Sequence, residues 1–107
     1  MDATLRKRAS KIRLLVLDVD GILTDGRLYF DSQGNELKAF NSRDGLGLKA
    51  LQKFGIQLAI ITGRKSPMVA VRATQLKIEH VYQGSNDKLD AYMDLLGKTG
   101  LAAEQVC

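Results

Sequence analysis

Several residue types are scarce in this sequence. Its 107 residues include no tryptophan, one cysteine (Cys107), one histidine (His80) and one proline (Pro67). A single cysteine cannot form an internal disulfide, which is consistent with a reducing compartment. No zinc-ligand spacing is present, and no Ser/His/Asp or Cys/His catalytic group can be assembled around one histidine. We therefore interpret His80 as a structural or exposed residue.

Long apolar runs are missing as well. No run approaches the roughly 20 residues that cross a bilayer, so the sequence predicts no membrane span and no membrane partner. The basic residues Arg6, Lys7 and Arg8 are not followed by the apolar stretch and small-residue cleavage site of a secretory signal. We expect a cytoplasmic location.

Basic residues outnumber acidic ones, 16 to 12, which gives a net charge of +4. Part of the excess precedes the first apolar run, at Arg6, Lys7, Arg8, Lys11 and Arg13. Such a cluster can bind nucleic acid, but no aromatic stacking platform or recognition-helix pattern accompanies it. We interpret it as a solvated lead-in that helps to attract anionic substrates, and we expect no nucleic-acid partner.

The stretch from Ile12 to Asp25 has the clearest pattern in the chain. Four apolar residues, Leu14 to Leu17, are followed at once by Asp18 and Asp20, which is typical of a buried strand that presents acids at its carboxyl end. Two carboxylates two residues apart point the same way on an extended chain, and Gly21 permits a sharp turn after them. Ionised carboxylates need a cationic partner when buried, and a hard divalent cation prefers oxygen ligands.

The segment Asp18-Val-Asp-Gly-Ile-Leu-Thr-Asp25 resembles the first motif of the haloacid-dehalogenase superfamily of phosphotransferases. Within it, the chain is most similar to the small phosphatases that act on 3-deoxy-D-manno-octulosonate 8-phosphate. A lone Asp-x-Asp is a weak signal, but here it ends an apolar strand and two further motifs follow in order. The resemblance extends from about Ile12 to Cys107.

Two β-prone runs, 27–31 and 36–40, flank a loop that contains Gly34 and Asn35, which predicts a hairpin flap over about residues 26–41. Its apolar residues are Leu28, Phe30, Leu37 and Phe40. An isolated hairpin is marginal in water, so it should pack either on its own domain or against copies of itself. The resemblance implies the second, because phosphatases of this kind are tetramers whose hairpins assemble together.

The next apolar pattern predicts a helix from Asp44 to Phe54, with Asp44 as N-cap, a face of Leu46, Leu48, Leu51 and Phe54, and Gly55 as its stop. Residues 45–50 formally match the G-x-G-x-x-A dinucleotide pattern. No buried strand leads directly into them and no acid follows a second strand at the required place, so dinucleotide binding is disfavoured.

Ile56 to Ile61 reads as a second buried strand that ends at Thr62. Ser66 and Pro67 then open a helix to about Leu76, and its amino end offers free N–H groups to a phosphate near Thr62. Glu79 to Tyr82 is a short third strand, which leads to a helix from Lys88 to about Leu96. A lysine in a first helical turn opposes the helix dipole by about 0.3–1 kcal/mol, a mismatch that an anionic ligand would reverse.

This alternation predicts one small α/β domain, a three-layer sandwich with a mainly parallel, Rossmann-like sheet and a hairpin inserted after the first strand. Ligands of such sheets bind at the carboxyl ends of the strands. Four suitable side chains follow those ends: Asp18, Asp20, Thr62 and Lys88. Without context, Thr62 is as readily a turn residue and Lys88 a surface lysine.

The resemblance implies a mechanism. Asp18 would attack phosphorus to give an aspartyl-phosphate, and Asp20 would act as general acid and then general base. Mg²⁺ would contact the Asp18 carboxylate and the Asp20 backbone carbonyl.

The remaining site residues follow from the same motifs. Thr62, Gly63 and Lys88 would bind phosphoryl oxygens, since the segment from Asn86 to Lys88 matches the motif that supplies the phosphate-neutralising lysine. Arg64 is expected to meet the sugar acid's carboxylate or its phosphate. Arg43 and Asp44 are expected to act across a subunit boundary.

The superfamily pattern also has a fourth motif, an acidic Gly-Asp-Asp-like loop after a further strand, and the chain's last residues stand where that strand would begin. Either the sequence is a fragment or the protein lacks the motif, and without that acid Mg²⁺ would be held weakly. Two alternatives to the sugar-acid phosphatase therefore stay open: a phosphosugar-binding or oligomerising module without turnover, and a phosphatase for a sialic-acid-type 9-phosphate.

Overall fold

Strands and helices alternate along the chain. The computed structural model describes residues 3–27 and 29–107. In chain order the elements are α1 (Ala3–Ser10), β1 (Leu14–Leu17), β2 (Tyr29–Phe30), β3 (Glu36–Leu37), α2 (Ser42–Lys53), β4 (Gln57–Ile61), α3 (Pro67–Gln75), β5 (His80–Tyr82), α4 (Lys88–Thr99) and a 3₁₀ turn (Ala103–Gln105). Among the described residues, no helix is long and apolar enough to span a membrane.

The main sheet is parallel, in the order β1-β4-β5. Leu17 pairs with Ile60, and Ile61 pairs with Tyr82, so the carboxyl ends of the three strands lie at one edge. Residues 105–107 run along the free side of β1. There Val16 N donates to Cys107 O at 2.7 Å, and Cys107 N donates to Leu14 O at 2.9 Å.

Helices cover both faces of this sheet. Alternate residues of a strand face opposite sides, so Leu58 and Ile60 of β4 pack in one core, with residues of α2 and α3, and Ala59 and Ile61 pack in another, with Leu95 of α4. The predicted three-layer α/β sandwich with a parallel sheet is therefore confirmed. Helix α1 buries no residue, in keeping with a solvated basic lead-in.

The helix ends follow local capping chemistry. Ser66 caps α3 and Pro67 takes its first position, as predicted. The prediction for α2 was wrong at its start, because Asn41, and not Asp44, is the N-cap and its side chain accepts from Arg43 N at 2.9 Å. Helix α4 starts at Lys88 as predicted but continues to Thr99, where Gly100 adopts φ 69°.

The hairpin is present but short. Tyr29 pairs with Leu37 and Phe30 with Glu36, and the Asp31 carboxylate closes the loop by accepting from the backbone of Gln33 and Asn35. Phe30 is 61% exposed. The predicted contribution of Leu28 to the apolar face lies outside the described residues.

Three predicted apolar positions differ from the expectation. Phe40 packs against the core shared by α2 and α3, so this hairpin residue is covered by its own chain. In α2, Leu48 is buried and Leu51 packs against the core, but Leu46 and Phe54 are exposed, Phe54 at 86%. A helix of this length buries one stripe, and that stripe holds fewer of the apolar residues than the sequence pattern indicated.

Candidate active site

Three loops meet at the carboxyl edge of the sheet. Asp18 follows β1 directly, Thr62 follows β4, and the loop after β5 leads to Lys88 at the first position of α4. Because the strands are parallel and in register, these loops leave the sheet side by side. This edge therefore contains Asp18, Thr62 and Lys88.

Asp18 is oriented by its own loop and by a lysine. Its Oδ1 accepts from Val19 N at 2.8 Å, and its Oδ2 lies 3.3 Å from Lys88 Nζ. Both side chains are partly exposed. The structure thus places Lys88, which faces the wrong end of its helix dipole, directly against a carboxylate. Its role as a phosphate ligand stays a prediction.

Asp20 faces two other cations. Lys38 Nζ lies 2.8 Å from Asp20 Oδ1, and Arg64 Nε lies 3.6 Å from Asp20 Oδ2. Glu36 completes a ring, with its Oε1 3.4 Å from Lys38 Nζ and 3.0 Å from Arg64 Nη1. The negative charges of Asp20 and Glu36 are therefore balanced by the positive charges of Lys38 and Arg64. These residues come from the β1 loop, the hairpin and the β4 loop.

Lys38 is the residue of this site that the sequence analysis missed. Its side chain is only 3% exposed, although it immediately follows the short strand β3. The available signal was weak: a lysine alternating with the apolar residues Leu37 and Ala39 in a strand-like run. Burial of that lysine could not be inferred without knowing that the hairpin folds back over Asp20.

The turn after Asp20 depends on glycine and threonine. Gly21 has φ 82°, a region that disfavours a side chain. Thr24 Oγ1 accepts from Gly21 N at 3.2 Å and from Gly26 N at 3.1 Å, and Val19 O accepts three backbone N–H groups. These bonds fix the loop that presents both aspartates.

Hydrogen bonds join the β4 loop to the β5 loop. Thr62 is 2% exposed, and its backbone N and O bond to Tyr82 O at 2.9 Å and Ser85 N at 3.0 Å. Ser66 N donates to Gln83 Oε1 at 2.7 Å, and Gly84 N donates to Arg64 O at 3.0 Å. Gly63 lies in this hydrogen-bonded segment, and its role in offering a backbone N–H to an anion stays a prediction.

Arg43 and Asp44 lie elsewhere, on the first turn of α2. Among the described residues, no ion pair joins either side chain to Asp18 or Asp20. Asp44 lines a separate cavity of about 610 Å³, together with Thr24 and Asp25. The structure does not bring Arg43 and Asp44 into the acid cluster, and their action across a subunit boundary stays a prediction.

A short hydrogen bond perturbs two groups beside that cavity. Tyr29 Oη donates to Asp25 Oδ2 at 2.7 Å. This bond, with a second from the Arg27 backbone N–H, lowers the pKa of Asp25, and the same carboxylate raises the pKa of Tyr29. The bond connects the hairpin to the β1 loop.

The oxygen ligands at this edge are few. Within residues 3–27 and 29–107, no group of three or more His, Cys, Asp or Glu side chains could hold a metal ion. The Asp18 carboxylate and the Asp20 backbone carbonyl are oxygen ligands of the kind that Mg²⁺ prefers, and this cation usually keeps several waters and uses one or two carboxylates. The pair fits a magnesium ion with few protein ligands.

Comparisons with known proteins agree with this geometry. The chain is 49% identical over 106 residues to a 3-deoxy-D-manno-octulosonate 8-phosphate phosphatase of Escherichia coli (strain B / BL21-DE3), a match that covers 99% of this chain and 56% of that protein. A hydrolase of Legionella pneumophila, described as haloacid-dehalogenase superfamily (subfamily III A), has a TM-score of 0.90 and 47% identity over 94% of this chain and 55% of its own. Over 94% of its length, the chain is therefore similar to a haloacid-dehalogenase superfamily hydrolase.

A third relative was solved with ligands bound. The 3-deoxy-D-manno-octulosonate 8-phosphate phosphatase of Moraxella catarrhalis, solved with a magnesium ion, a phosphate ion and a KDO molecule, has a TM-score of 0.92 and 47% identity over 99% of this chain and 61% of its own. The chain spans 56% of the length of the curated E. coli relative. A scan against protein-family models found no match.

Proposed function

We propose that the chain carries the nucleophile and the phosphate-binding residues of a Mg²⁺-dependent phosphatase. Its substrate is a sugar-acid phosphate monoester, 3-deoxy-D-manno-octulosonate 8-phosphate, and its products are the free sugar acid, a lipopolysaccharide precursor, and phosphate. The observation that carries the proposal is the contact between Asp18 Oδ2 and Lys88 Nζ at 3.3 Å. It joins a carboxylate to a cation at the carboxyl edge of a parallel sheet, where such folds bind ligands.

In the first step Asp18 attacks phosphorus, the bond from phosphorus to the sugar oxygen breaks, and Asp20 gives its proton to that oxygen. In the second step a water attacks the aspartyl-phosphate, Asp20 accepts the water proton, and phosphate leaves while the Asp18 carboxylate is restored. Asp20 therefore ends each cycle in the protonation state in which it began.

The remaining residues stabilise charge. Lys88, the Thr62 hydroxyl and the Gly63 N–H bind phosphoryl oxygens, and the hydrogen-bonded β4 loop keeps these donors in place. The Asp18 carboxylate and the Asp20 backbone carbonyl hold Mg²⁺, which when bound neutralises charge on the transferring phosphoryl group.

The substrate's sugar acid is recognised by arginine. Arg64, which lies against two carboxylates in the structure, donates hydrogen bonds to the carboxylate or phosphate of the substrate in place of one of them. Arg43 and Asp44 contribute from a neighbouring subunit of a homotetramer, in which the hairpin flaps pack together. The exposed face of the hairpin supports this arrangement, because an isolated hairpin gains stability by packing.

The test is phosphate release from 3-deoxy-D-manno-octulosonate 8-phosphate with Mg²⁺, compared among the chain, Asp18→Asn and Asp90→Asn. Asp90 is an exposed acid in the first turn of α4 and serves as the matched control. We expect Asp18→Asn to abolish turnover, because an amide is not a nucleophile, and Asp90→Asn to retain it. Turnover that survives Asp18→Asn would remove the proposed nucleophile.

A second candidate is a phosphosugar-binding module without turnover. The absence of a third acidic ligand among the described residues favours it, because the metal then rests on two aspartates. Calorimetric binding of the sugar phosphate with no phosphate release, in the presence of saturating Mg²⁺, would support this candidate over the enzyme. Release from a sialic-acid-type 9-phosphate at a higher kcat/KM would instead reassign the substrate.

A further inference from the structure

Lys38 differs from the other cations of the site in its burial. Its side chain is 3% exposed, whereas those of Lys88 and Arg64 are more than half exposed. A buried ammonium is costly unless it is paired, and Lys38 has two carboxylates within reach, at 2.8 Å and 3.4 Å. These two ion pairs therefore hold the Lys38 ammonium against Asp20 and Glu36.

The two oxygens of Asp20 have unequal partners. Oδ1 receives the hydrogen bond from Lys38 Nζ at 2.8 Å. Oδ2 has the Arg64 Nε at 3.6 Å, beyond ordinary hydrogen-bonding distance. Lys38 thus fixes one oxygen and leaves the other, on the side of the β4 loop, free to exchange a proton.

The ring of charges keeps Lys38 from swinging away. If its ammonium left Asp20, it would also leave Glu36, and Glu36 is itself held by Arg64 Nη1 at 3.0 Å. Since these residues come from the hairpin and the β4 loop, the ring also holds the base of the hairpin beside Asp20. The position of the aspartate depends on a residue 18 positions further along the chain.

We propose that Lys38 is a positioning residue for Asp20: it holds Oδ1 so that Oδ2 transfers the proton to the leaving sugar oxygen and takes it from water. This inference rests on the proposed phosphatase function. It assigns to the hairpin a part in the chemistry of its own subunit, separate from any part in assembly.

The test compares Lys38→Met with Lys49→Met, which removes an exposed lysine of α2. We expect Lys38→Met to lower kcat by about 10–100-fold, as loss of a residue that orients a reacting group does. The KM should stay within about twofold, because Lys38 is assigned no contact with the substrate. Lys49→Met should leave both constants unchanged.

A second variant distinguishes loss of the positioning role from a folding defect. Lys38→Cys is made with Cys107→Ser, so that position 38 carries the only thiol. It is alkylated with bromoethylamine in denaturant and refolded, which restores an ammonium at nearly the original length. Recovery of kcat supports the positioning role. A refolded, native-like protein that stays slow overturns it.

The ion pair has its own readout in the ¹H–¹⁵N signal of the Lys38 ammonium. This signal should shift in Asp20→Asn and not in Asp90→Asn. An unchanged kcat in Lys38→Met, with turnover abolished in Asp18→Asn, overturns the role of Lys38 and leaves the phosphatase intact. Absence of turnover in the unaltered chain overturns the proposed function and, with it, the role of Lys38.

Discussion

At the scale of single residues, Tyr82 and two side chains of α4 form a small polar group on the side of the sheet away from α2 and α3. Tyr82 Oη donates to Asp94 Oδ2 at 2.7 Å, and Lys98 Nζ lies 3.1 Å from the same oxygen. The Tyr82 bond and then the Lys98 ammonium lower the pKa of Asp94. This group ties β5 to the helix that begins with Lys88.

The lowered pKa of Asp94 predicts a pH dependence. The unfolded state binds the proton more readily, so this carboxylate stabilises the fold above its ordinary pKa of 3.8 and loses that contribution as the pH falls through the folded value. In Tyr82→Phe we expect the pKa of Asp94 to rise toward 3.8, measured by NMR titration of its carboxyl carbon. Tyr92→Phe, which removes another hydroxyl near this face, should not move it. If the pKa of Asp94 is the same in the unaltered chain and in Tyr82→Phe, the Tyr82 hydrogen bond does not lower it.

Which charged residues would pair was only partly predictable from the sequence. Asp18 and Asp20 were identified because their spacing at the end of an apolar strand has a local physical meaning. Lys38 was not identified, because its burial depends on how the hairpin folds, and the two strands of that hairpin have only two residues each. Arg64 was placed near the substrate, but its contacts with Asp20 and Glu36 depend on three loops meeting, which no local pattern specifies.

At the scale of elements, the N-cap of α4 controls the position of Lys88. The Asp87 side chain accepts from Leu89 N at 3.0 Å and from Asp90 N at 3.4 Å. Replacement of such a cap by alanine costs about 0.5–2 kcal/mol. We therefore expect Asp87→Ala to lower the free energy of unfolding by that amount in urea denaturation, and Asp87→Ser to retain most of it. If Asp87→Ala, Asp87→Ser and the unaltered chain have the same free energy of unfolding, the capping hydrogen bonds of Asp87 contribute nothing to stability.

Element boundaries show where sequence patterns are ambiguous. The segment Asn41-Ser-Arg-Asp44 offers three residue types that cap helices, and the structure uses the first of them. The sequence pattern predicted an end of α4 at about Leu96, whereas the helix continues through Gly97 to Thr99. Glycine costs a helix interior only about 1 kcal/mol relative to alanine, and packing of Leu95 in the core outweighs it.

At the scale of the whole molecule, the parallel sheet explains why residues far apart in sequence meet. Because the strands of the sheet run parallel, the segments after β1, β4 and β5 emerge at one edge. This rule predicted that Asp18, Thr62 and Lys88 would share an edge. It does not give the pairing of Val106 with Leu14 on the far side of β1, in the segment where the resemblance implies that a further strand would begin.

The hairpin leads to the last prediction, which concerns assembly. Tyr29, Phe30 and Leu37 are exposed on the two short strands, so the hairpin presents an apolar face that a neighbouring subunit could cover. If hairpins of neighbouring subunits cover one another, a charge at Phe30 places like charges in the contact. We expect Phe30→Glu to reduce a tetramer to smaller species in light scattering coupled to size exclusion.

Phe54 provides the matched control, because it is the same residue type, is 86% exposed and lies at the end of α2. Phe54→Glu should leave the oligomer unchanged, since no part in assembly is assigned to that end of the helix. A tetramer that persists in Phe30→Glu, or one that dissociates equally in both variants, would argue against the hairpin contact. Because Lys38 lies at the base of the same hairpin, a smaller oligomer that keeps its kcat would separate the hairpin's part in assembly from its part in holding Asp20.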